Sequence, residues 1–236
     1  MRRYSLIALP LAFLLAIAAG LWQLSRNPEF QLFGTLITRV ETSAPVIALT
    51  FDDGPTPAYT DAVLETLSAF DVRATFYVTG RETDAHMPQA RAIVAAGHAL
   101  GNHSYTHRRL VLVSPATVRD ELSRTDAAIR AAGYTGRIDF RPPYGKRLLV
   151  LPWVLHQQNR TTVTWDIAPE TGQYQTAQEI AQYVLDAAQS GSIVLMHLMY
   201  DDRETSRQAL PLIITGLRER GFDFVTVPEL TRHAQP

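Results

Sequence analysis

Strand-like and helix-like segments alternate along this chain from residue 46 to its C-terminal end. Alternation of this kind is typical of an α/β fold with a parallel sheet, either a barrel or a doubly wound sheet. The strands are predicted from short runs of apolar, β-favouring residues, and the helices from longer segments between them. The predicted strands are 46–51, 74–78, 98–102, 138–141, 162–165, 193–196 and 222–225, and the helices 58–69, 85–96, 115–132, 177–188 and 206–220.

Composition limits the classes of function that this fold can serve. With 236 residues and 46% hydrophobic content, the chain is long enough for one well-buried catalytic domain. Its formal net charge of -1 provides no basic field, so we expect no nucleic-acid partner. The chain has no cysteine, so any metal ion must be held by imidazole and carboxylate groups.

The N-terminus predicts export from the cytoplasm. Residues 4–24 contain no charge and follow Arg2 and Arg3, which should stay in the cytoplasm. The run is long enough to cross a bilayer, which favours an anchor, although Ala-Ile-Ala at 16–18 offers a cleavage site. We expect residues 1–26 to be a signal anchor that joins the protein to the outer face of the cytoplasmic membrane, or a signal peptide whose cleavage leaves it secreted or periplasmic.

The rest of the chain divides into two parts. Residues 27–44 are mixed and polar and predict a spacer followed by an edge strand near 32–40. Residues 45–236 carry the strand and helix alternation and are predicted to form the catalytic domain.

Candidate reactive side chains follow successive predicted strands. In an α/β fold, the loops after the carboxyl ends of the strands converge on one site. The chain places a potentially reactive side chain after five of its predicted strands: Asp52 and Asp53, then His103, Arg141, Asp166 and His197.

The first two groups have the composition of a catalytic metal site. Asp52 and Asp53 are adjacent carboxylates, so one can bind a metal while the other transfers protons, although an Asp-rich turn is the alternative. His103 and His107 are four residues apart and are expected to share one face of a helical turn. Two imidazoles and one carboxylate can hold a divalent ion and leave positions open for water and substrate.

Four segments resemble the successive motifs of the polysaccharide deacetylase family (NodB homology domain, carbohydrate esterase family 4). They are TFDDGP at 50–55, HSYTH at 103–107, RPPYG at 141–145 and LMH at 195–197, and the resemblance extends over 46–230. It implies a distorted (β/α) barrel, preceded here by one N-terminal hydrophobic helix. It also implies one divalent ion, zinc in the first place with cobalt or another ion as alternatives, and removal of acetyl groups from a glycan, N-acetyl in preference to O-acetyl.

The resemblance also implies roles for individual residues. Asp53, His103 and His107 would bind the metal, and Asp52 would be the base that deprotonates the attacking water. The remaining implied roles are Arg141 as the partner of Asp52, His197 as general acid, the backbone N–H of Tyr144 as oxyanion donor, and Leu195 and Pro143 as parts of the substrate site.

One motif departs from the family pattern. The segment WDIAPETG at 165–172 lacks the acidic residue followed by tryptophan that is usual there. Asp166 is expected to replace it as the partner of His197, with Glu170 as the alternative.

Substrate and activity class stay open at this point. Peptidoglycan, chitin-like oligomers, acetylated xylan and an exported exopolysaccharide are all compatible with the motifs. Two other readings are a glycan-binding module without activity and a metal-dependent amidohydrolase that acts on small molecules. The second usually needs further histidine or carboxylate ligands, and beyond the proposed set only His197 follows a strand.

Overall fold

A computed structural model describes residues 16, 19–24, 27, 29–171 and 174–235 of the chain. Most of the predicted N-terminal helix at 4–24 lies outside these residues, and the described part, residues 16 and 19–24, is helical. Within the described residues, no helix combines the length and the apolar character needed to cross a membrane.

The described chain is an α/β fold whose strands pair in parallel, as the alternation predicted. The strands are β1 (Leu36–Ile37), β2 (Val46–Asp52), β3 (Thr75–Val78), β4 (Ala99–Asn102), β5 (Thr162–Val163), β6 (Ile193–His197) and β7 (Asp223–Phe224). The helices are α1 (Thr60–Ala69), α2 (Gly80–Ala85), α3 (Met87–Ala95), α4 (Pro115–Ala131), α5 (Val150–Gln157), α6 (Ala177–Ala187), α7 (Glu204–Glu219) and α8 (Val227–Leu230).

The strands are arranged around β2. The main order is β4-β3-β2-β6, β7 pairs with the first residues of β2, and β1 pairs with β5. Single parallel bridges extend this pairing: Phe140 joins Asn102 to Thr162, and Ile167 pairs with Val194. The segment from β5 to Ile167 therefore runs from the β4 side of the sheet to β6 on the other side.

The centre of the sheet is buried on both faces. All seven residues of β2 are buried, which explains why this strand is a continuous apolar run up to its terminal carboxylate. Helices α1, α3, α6 and α7 contribute their apolar stripes to the main core around β2, β3 and β6. The ends of β2, β4 and β6 are thereby fixed in a rigid frame.

Several predicted elements differ from the structure. The strand predicted at 32–40 is only β1, and the strand predicted at 138–141 is reduced to the bridge at Phe140. The helix predicted at 85–96 is α3, separated at His86 from the unpredicted helix α2. Helix α5 was also missed, because it carries Pro152 in its first turn, where proline is tolerated, and lacks a regular polar face.

Candidate metal centre and active site

Three side chains meet beyond the carboxyl ends of β2 and β4. Ligand atoms of Asp53, His103 and His107 all lie within 4.8 Å of one another. Asp53 Oδ1 is 3.2 Å from His107 Nε2 and 3.7 Å from His103 Nε2. Asp53 has a φ of 69°, and this turn of the backbone brings its carboxylate to the same site as that of Asp52.

The two histidines are brought together by a loop and not by a helical turn, so that part of the prediction was wrong. No residue from 103 to 110 is helical, and Ser104 and His107 have positive φ values of 64° and 56°. The imidazole centroids are nevertheless 5.0 Å apart. The four-residue spacing predicted the right pair for the wrong geometrical reason.

Glu121 holds this loop and was not singled out from the sequence. Its carboxylate, on the buried face of α4, accepts hydrogen bonds from the backbone N–H groups of Tyr105 and Thr106, each at 2.8 Å. It also accepts one from the Thr106 hydroxyl at 2.6 Å. A buried glutamate on an apolar helix stripe that follows a histidine-rich loop is the signal that would have pointed to it.

The donor set fits a divalent cation. Asp53 Oδ1 is buried and accepts no hydrogen bond from any described residue, which is costly for a carboxylate oxygen unless another partner neutralises it. His103 Nδ1 is 2.8 Å from the carbonyl oxygen of Arg141, so it carries the proton and Nε2 is left as the ligand atom. Two imidazoles and one carboxylate are a set that suits zinc.

Asp52 forms the predicted ion pair with Arg141. Arg141 Nη1 lies 2.7 Å from Asp52 Oδ1, and the same nitrogen donates to the Thr50 hydroxyl at 2.8 Å. The guanidinium is fully buried and also donates to the carbonyl oxygen of Thr164 at 2.9 Å. Its contacts leave it little freedom to rotate away from Asp52.

The charges around Asp52 keep it ionised. Burial alone would raise its pKa, but Arg141 and then His103 and His197 outweigh burial and hold the pKa of Asp52 below its ordinary value. Asp52 Oδ2 is 3.6 Å from His103 Nε2, so a carboxylate in its charged form borders the metal site.

His197, at the end of β6, is paired with Glu170. Glu170 Oε2 lies 2.6 Å from His197 Nδ1, and Glu170 Oε1 accepts the His197 backbone N–H at 2.9 Å. Burial would lower the pKa of His197, but the hydrogen bond to Glu170 and the charge of Asp52 raise it above its ordinary value. Burial would raise the pKa of Glu170, but the hydrogen bond and the charge of His197 lower it below its ordinary value.

The expectation that Asp166 is the partner of His197 was therefore wrong. Asp166 accepts hydrogen bonds from the Ser192 hydroxyl and the Ile193 N–H, both at 2.7 Å, and so holds the start of β6. Ile167 is in register with Val194, which places Asp166 beside Ile193, about 13 Å before His197 along the strand. Glu170, three residues beyond that bridge in the 3-10 turn 169–171, contacts His197 at the end of β6.

The predicted substrate residues lie around this centre. Tyr144, in the turn Pro143–Gly145, has a φ of 59°, and its half-exposed ring is 4.8 Å from the ring of His107. Pro143 is buried at the start of this turn. Leu195 is buried and, with Ala168, Glu170, His197 and Arg203, lines a cavity of about 130 Å³.

The site thus combines a candidate metal triad, a charged carboxylate and a histidine whose proton is stabilised. The acidic and basic groups belong to different strand ends, and each is held by its own partner. Such an arrangement can take a proton from water on one side and give one to a leaving group on the other.

Comparison with known proteins identifies the same family. Residues 39–163 match the family model for polysaccharide deacetylase. The chain is 35% identical over 185 residues, 78% of its length, to the peptidoglycan-N-acetylglucosamine deacetylase PgdA of Listeria monocytogenes. It spans only 38% of the length of that relative.

Solved structures agree in fold. The Bc1960 peptidoglycan N-acetylglucosamine deacetylase superposes with a TM-score of 0.78 at 30% identity, over 85% of this chain and 95% of that one. BA3943, a family pseudoenzyme from Bacillus anthracis, superposes with a TM-score of 0.77 at 28% identity, over 87% of this chain and 72% of that one. The chain belongs to the polysaccharide deacetylase family.

Proposed function

We propose that this chain is a metal-dependent hydrolase that removes N-acetyl groups from a cell-envelope polysaccharide. The observation that carries the proposal is the assembly of Asp53, His103 and His107 beside the Asp52–Arg141 and His197–Glu170 pairs. The ring of strand pairings supports the distorted barrel that is typical of the family.

The metal triad comprises Asp53, His103 and His107. Zinc is the first choice for this donor set, with cobalt or another divalent ion as alternatives. An ion held there would supply Lewis acidity toward water and toward the acetyl carbonyl.

The other residues move and hold protons. Asp52, kept ionised by Arg141, accepts the proton of the attacking water. His197, whose pKa Glu170 raises, protonates the amine that leaves the acetyl carbon. The backbone N–H of Tyr144 stabilises the developing oxyanion. Leu195 borders the space for the acetyl methyl group, and Pro143 shapes the turn that carries Tyr144.

Peptidoglycan is the substrate that we propose first. The Listeria relative and the Bc1960 enzyme are both named as deacetylases of peptidoglycan N-acetylglucosamine. Chitin-like oligomers, acetylated xylan and an exopolysaccharide remain as alternatives to test.

Residues 1–26 are proposed to anchor the protein outside the cytoplasm, with 27–44 as spacer and edge strand and 45–236 as catalytic domain. The basis is the uncharged run at 4–24 after two arginines. Cleavage within that segment would leave the protein secreted or periplasmic.

A glycan-binding module without activity is the second candidate, because the pseudoenzyme BA3943 shares this fold. The presence of Asp52, Arg141 and His197 in contact with their partners favours the enzyme. A small-molecule amidohydrolase with two metals is disfavoured, because the described residues contain one such ligand group.

The test is acetate release from peptidoglycan, N-acetylglucosamine oligomers and acetylated xylan. We expect release from peptidoglycan by the wild-type chain, loss of it after chelation, and recovery when zinc is added. The Asp52→Asn variant is the control for acetate that does not arise from this site. No release from any polymer by a chain that binds one metal would support the binding module instead.

A further inference from the structure

Five large apolar side chains are exposed on one side of the described protein. Phe30, Leu32 and Phe33 precede β1 and are 38%, 46% and 40% exposed, while Leu149 and Trp153 at α5 are 49% and 37% exposed. We call these five residues the apolar face. Exposed patches of large apolar groups mark surfaces that contact a partner or a membrane.

The two segments of the apolar face lie next to each other. Leu149 and Trp153 are four residues apart and therefore point to the same side of α5, and His156 lies one turn further along that side. Gly34 packs against His156, since a Cβ at Gly34 would lie 3.4 Å from the His156 Cβ. The chain around Phe33 consequently runs beside the exposed side of α5.

The end of the predicted anchor contacts the same region. Lys146 Nζ lies 4.2 Å from the centre of the Trp22 ring. Arg147 donates a hydrogen bond to the carbonyl oxygen of Asn27 at 3.1 Å. Residues 22 and 27 are thus bound to the turn that leads into α5, a few residues before Leu149.

We propose that the apolar face rests on the surface of the lipid bilayer that holds the anchor. From residue 24 to Phe30 the chain spans about 20 Å at most, so the apolar face cannot lie far from the point where the anchor leaves the bilayer. Tryptophan, phenylalanine and leucine are the side chains that interfacial segments bury at the boundary between headgroups and acyl chains. The inference rests on the anchor of the proposed function and adds a second, peripheral contact to it.

This contact orients the active site. Lys146 directly follows the turn Pro143–Gly145, whose Tyr144 covers the ring of His107. A domain that contacts the bilayer through the apolar face holds its active site beside the bilayer. The active site then faces the glycan strands closest to the membrane.

The chain has no cysteine, so single cysteines can report on this contact. Phe33→Cys and Trp153→Cys place a fluorescent probe on the two segments of the apolar face. Leu212→Cys is the matched control, because Leu212 is 39% exposed and lies on α7, which packs against α6, whereas α5 packs against α4. Each labelled full-length chain is placed in nanodiscs of zwitterionic and anionic lipids, with and without a nitroxide quencher on the headgroup.

Quenching at positions 33 and 153, with emission at 212 unchanged, is the expected result. Equal quenching at all three positions, or none at 33 and 153, would overturn the docking. Energy transfer between labelled chains at position 33 without lipid quenching would also overturn it and assign the apolar face to a second copy. Migration of the chain with the nanodiscs reports separately on the anchor, and failure there would overturn both.

Discussion

Glu170 contacts His197 twice, through Nδ1 of the ring at 2.6 Å and through the backbone N–H at 2.9 Å. One carboxylate therefore sets both the position of the strand end and the orientation of the imidazole. The same contact raises the pKa of the ring against the effect of burial. The proton that His197 is proposed to deliver is thus stabilised by a residue outside the strand that carries it.

Replacing Glu170 by glutamine should shift the basic limb of the pH profile of kcat/KM to lower pH. The carboxylate raises the pKa of His197, so its removal lowers that pKa and the acid form is lost at lower pH. Acetate release across the pH range measures the shift. A profile identical to wild type would mean that His197 is not the proton donor.

Asp166→Asn is the matched control for that experiment. Asp166 holds Ser192 and Ile193 at the start of β6 and does not contact the His197 ring. We expect an unchanged basic limb and a loss of about 1 kcal/mol or more in the free energy of unfolding. A shifted basic limb in this variant would restore Asp166 as the acidic partner.

The two adjacent aspartates should separate metal binding from proton transfer. Asp52→Asn should lower kcat about 10²- to 10⁴-fold with metal content near wild type, because Asp52 is paired with Arg141. Asp53→Asn should lose the metal together with activity, because Asp53 is the carboxylate of the triad. Metal content per chain, measured by atomic absorption, decides the roles, and metal loss in the first variant would exchange them.

Glu121→Gln should weaken metal binding although it replaces no residue that binds the metal. The loop from His103 to His107 is held by three hydrogen bonds to this carboxylate, and partners that orient ligands typically contribute about 10- to 100-fold in metal affinity. Glu179 holds the backbone N–H groups of Gln175 and Thr176 before α6, so Glu179→Gln is the control. Equal metal affinity in both variants would contradict the role of Glu121.

Arg141→Met should destabilise the fold by about 3–5 kcal/mol, because it leaves Asp52 buried without its cation. Arg73→Met is the control: Arg73 is half exposed in its pair with Glu229, and such a pair contributes about 0–1 kcal/mol. Urea denaturation of both variants at neutral pH measures the difference. A loss of the same size in both would show that the buried pair contributes no more than a surface pair.

Much of the fold could be predicted because periodicity reports burial directly. The apolar run of β2, buried on both faces, and the start of α4, where Ser114 is the N-cap and Pro115 the first helical residue, are local features. The true extent of the strand predicted at 138–141 could not be found from local features, because the length of a strand pairing depends on neighbours that are distant in sequence. Helix α5 was missed because its packing, not a polar face, makes it helical.

In the candidate site, too, local features could be predicted and long-range contacts could not. The carboxylates, histidines and arginine could be found because their types and their places after strands are local properties. The choice between Asp166 and Glu170 depended on the register of Ile167 with Val194, which no local pattern encodes. The conformation of the His103 to His107 loop depended on Glu121, which lies on a different element.

The three residues of the metal triad differ in their contact with solvent. The side chain of His107 is 27% exposed, against 2% for His103 and 9% for Asp53. Its ring is covered by Tyr144, and the guanidinium carbon of Arg109 lies 4.8 Å above the Tyr144 ring. An ion at this centre would therefore be closest to solvent on the His107 side, which Tyr144 and Arg109 border. Exchange of the metal with solvent would begin at His107, the ligand that solvent already reaches, and not at the two buried ligands.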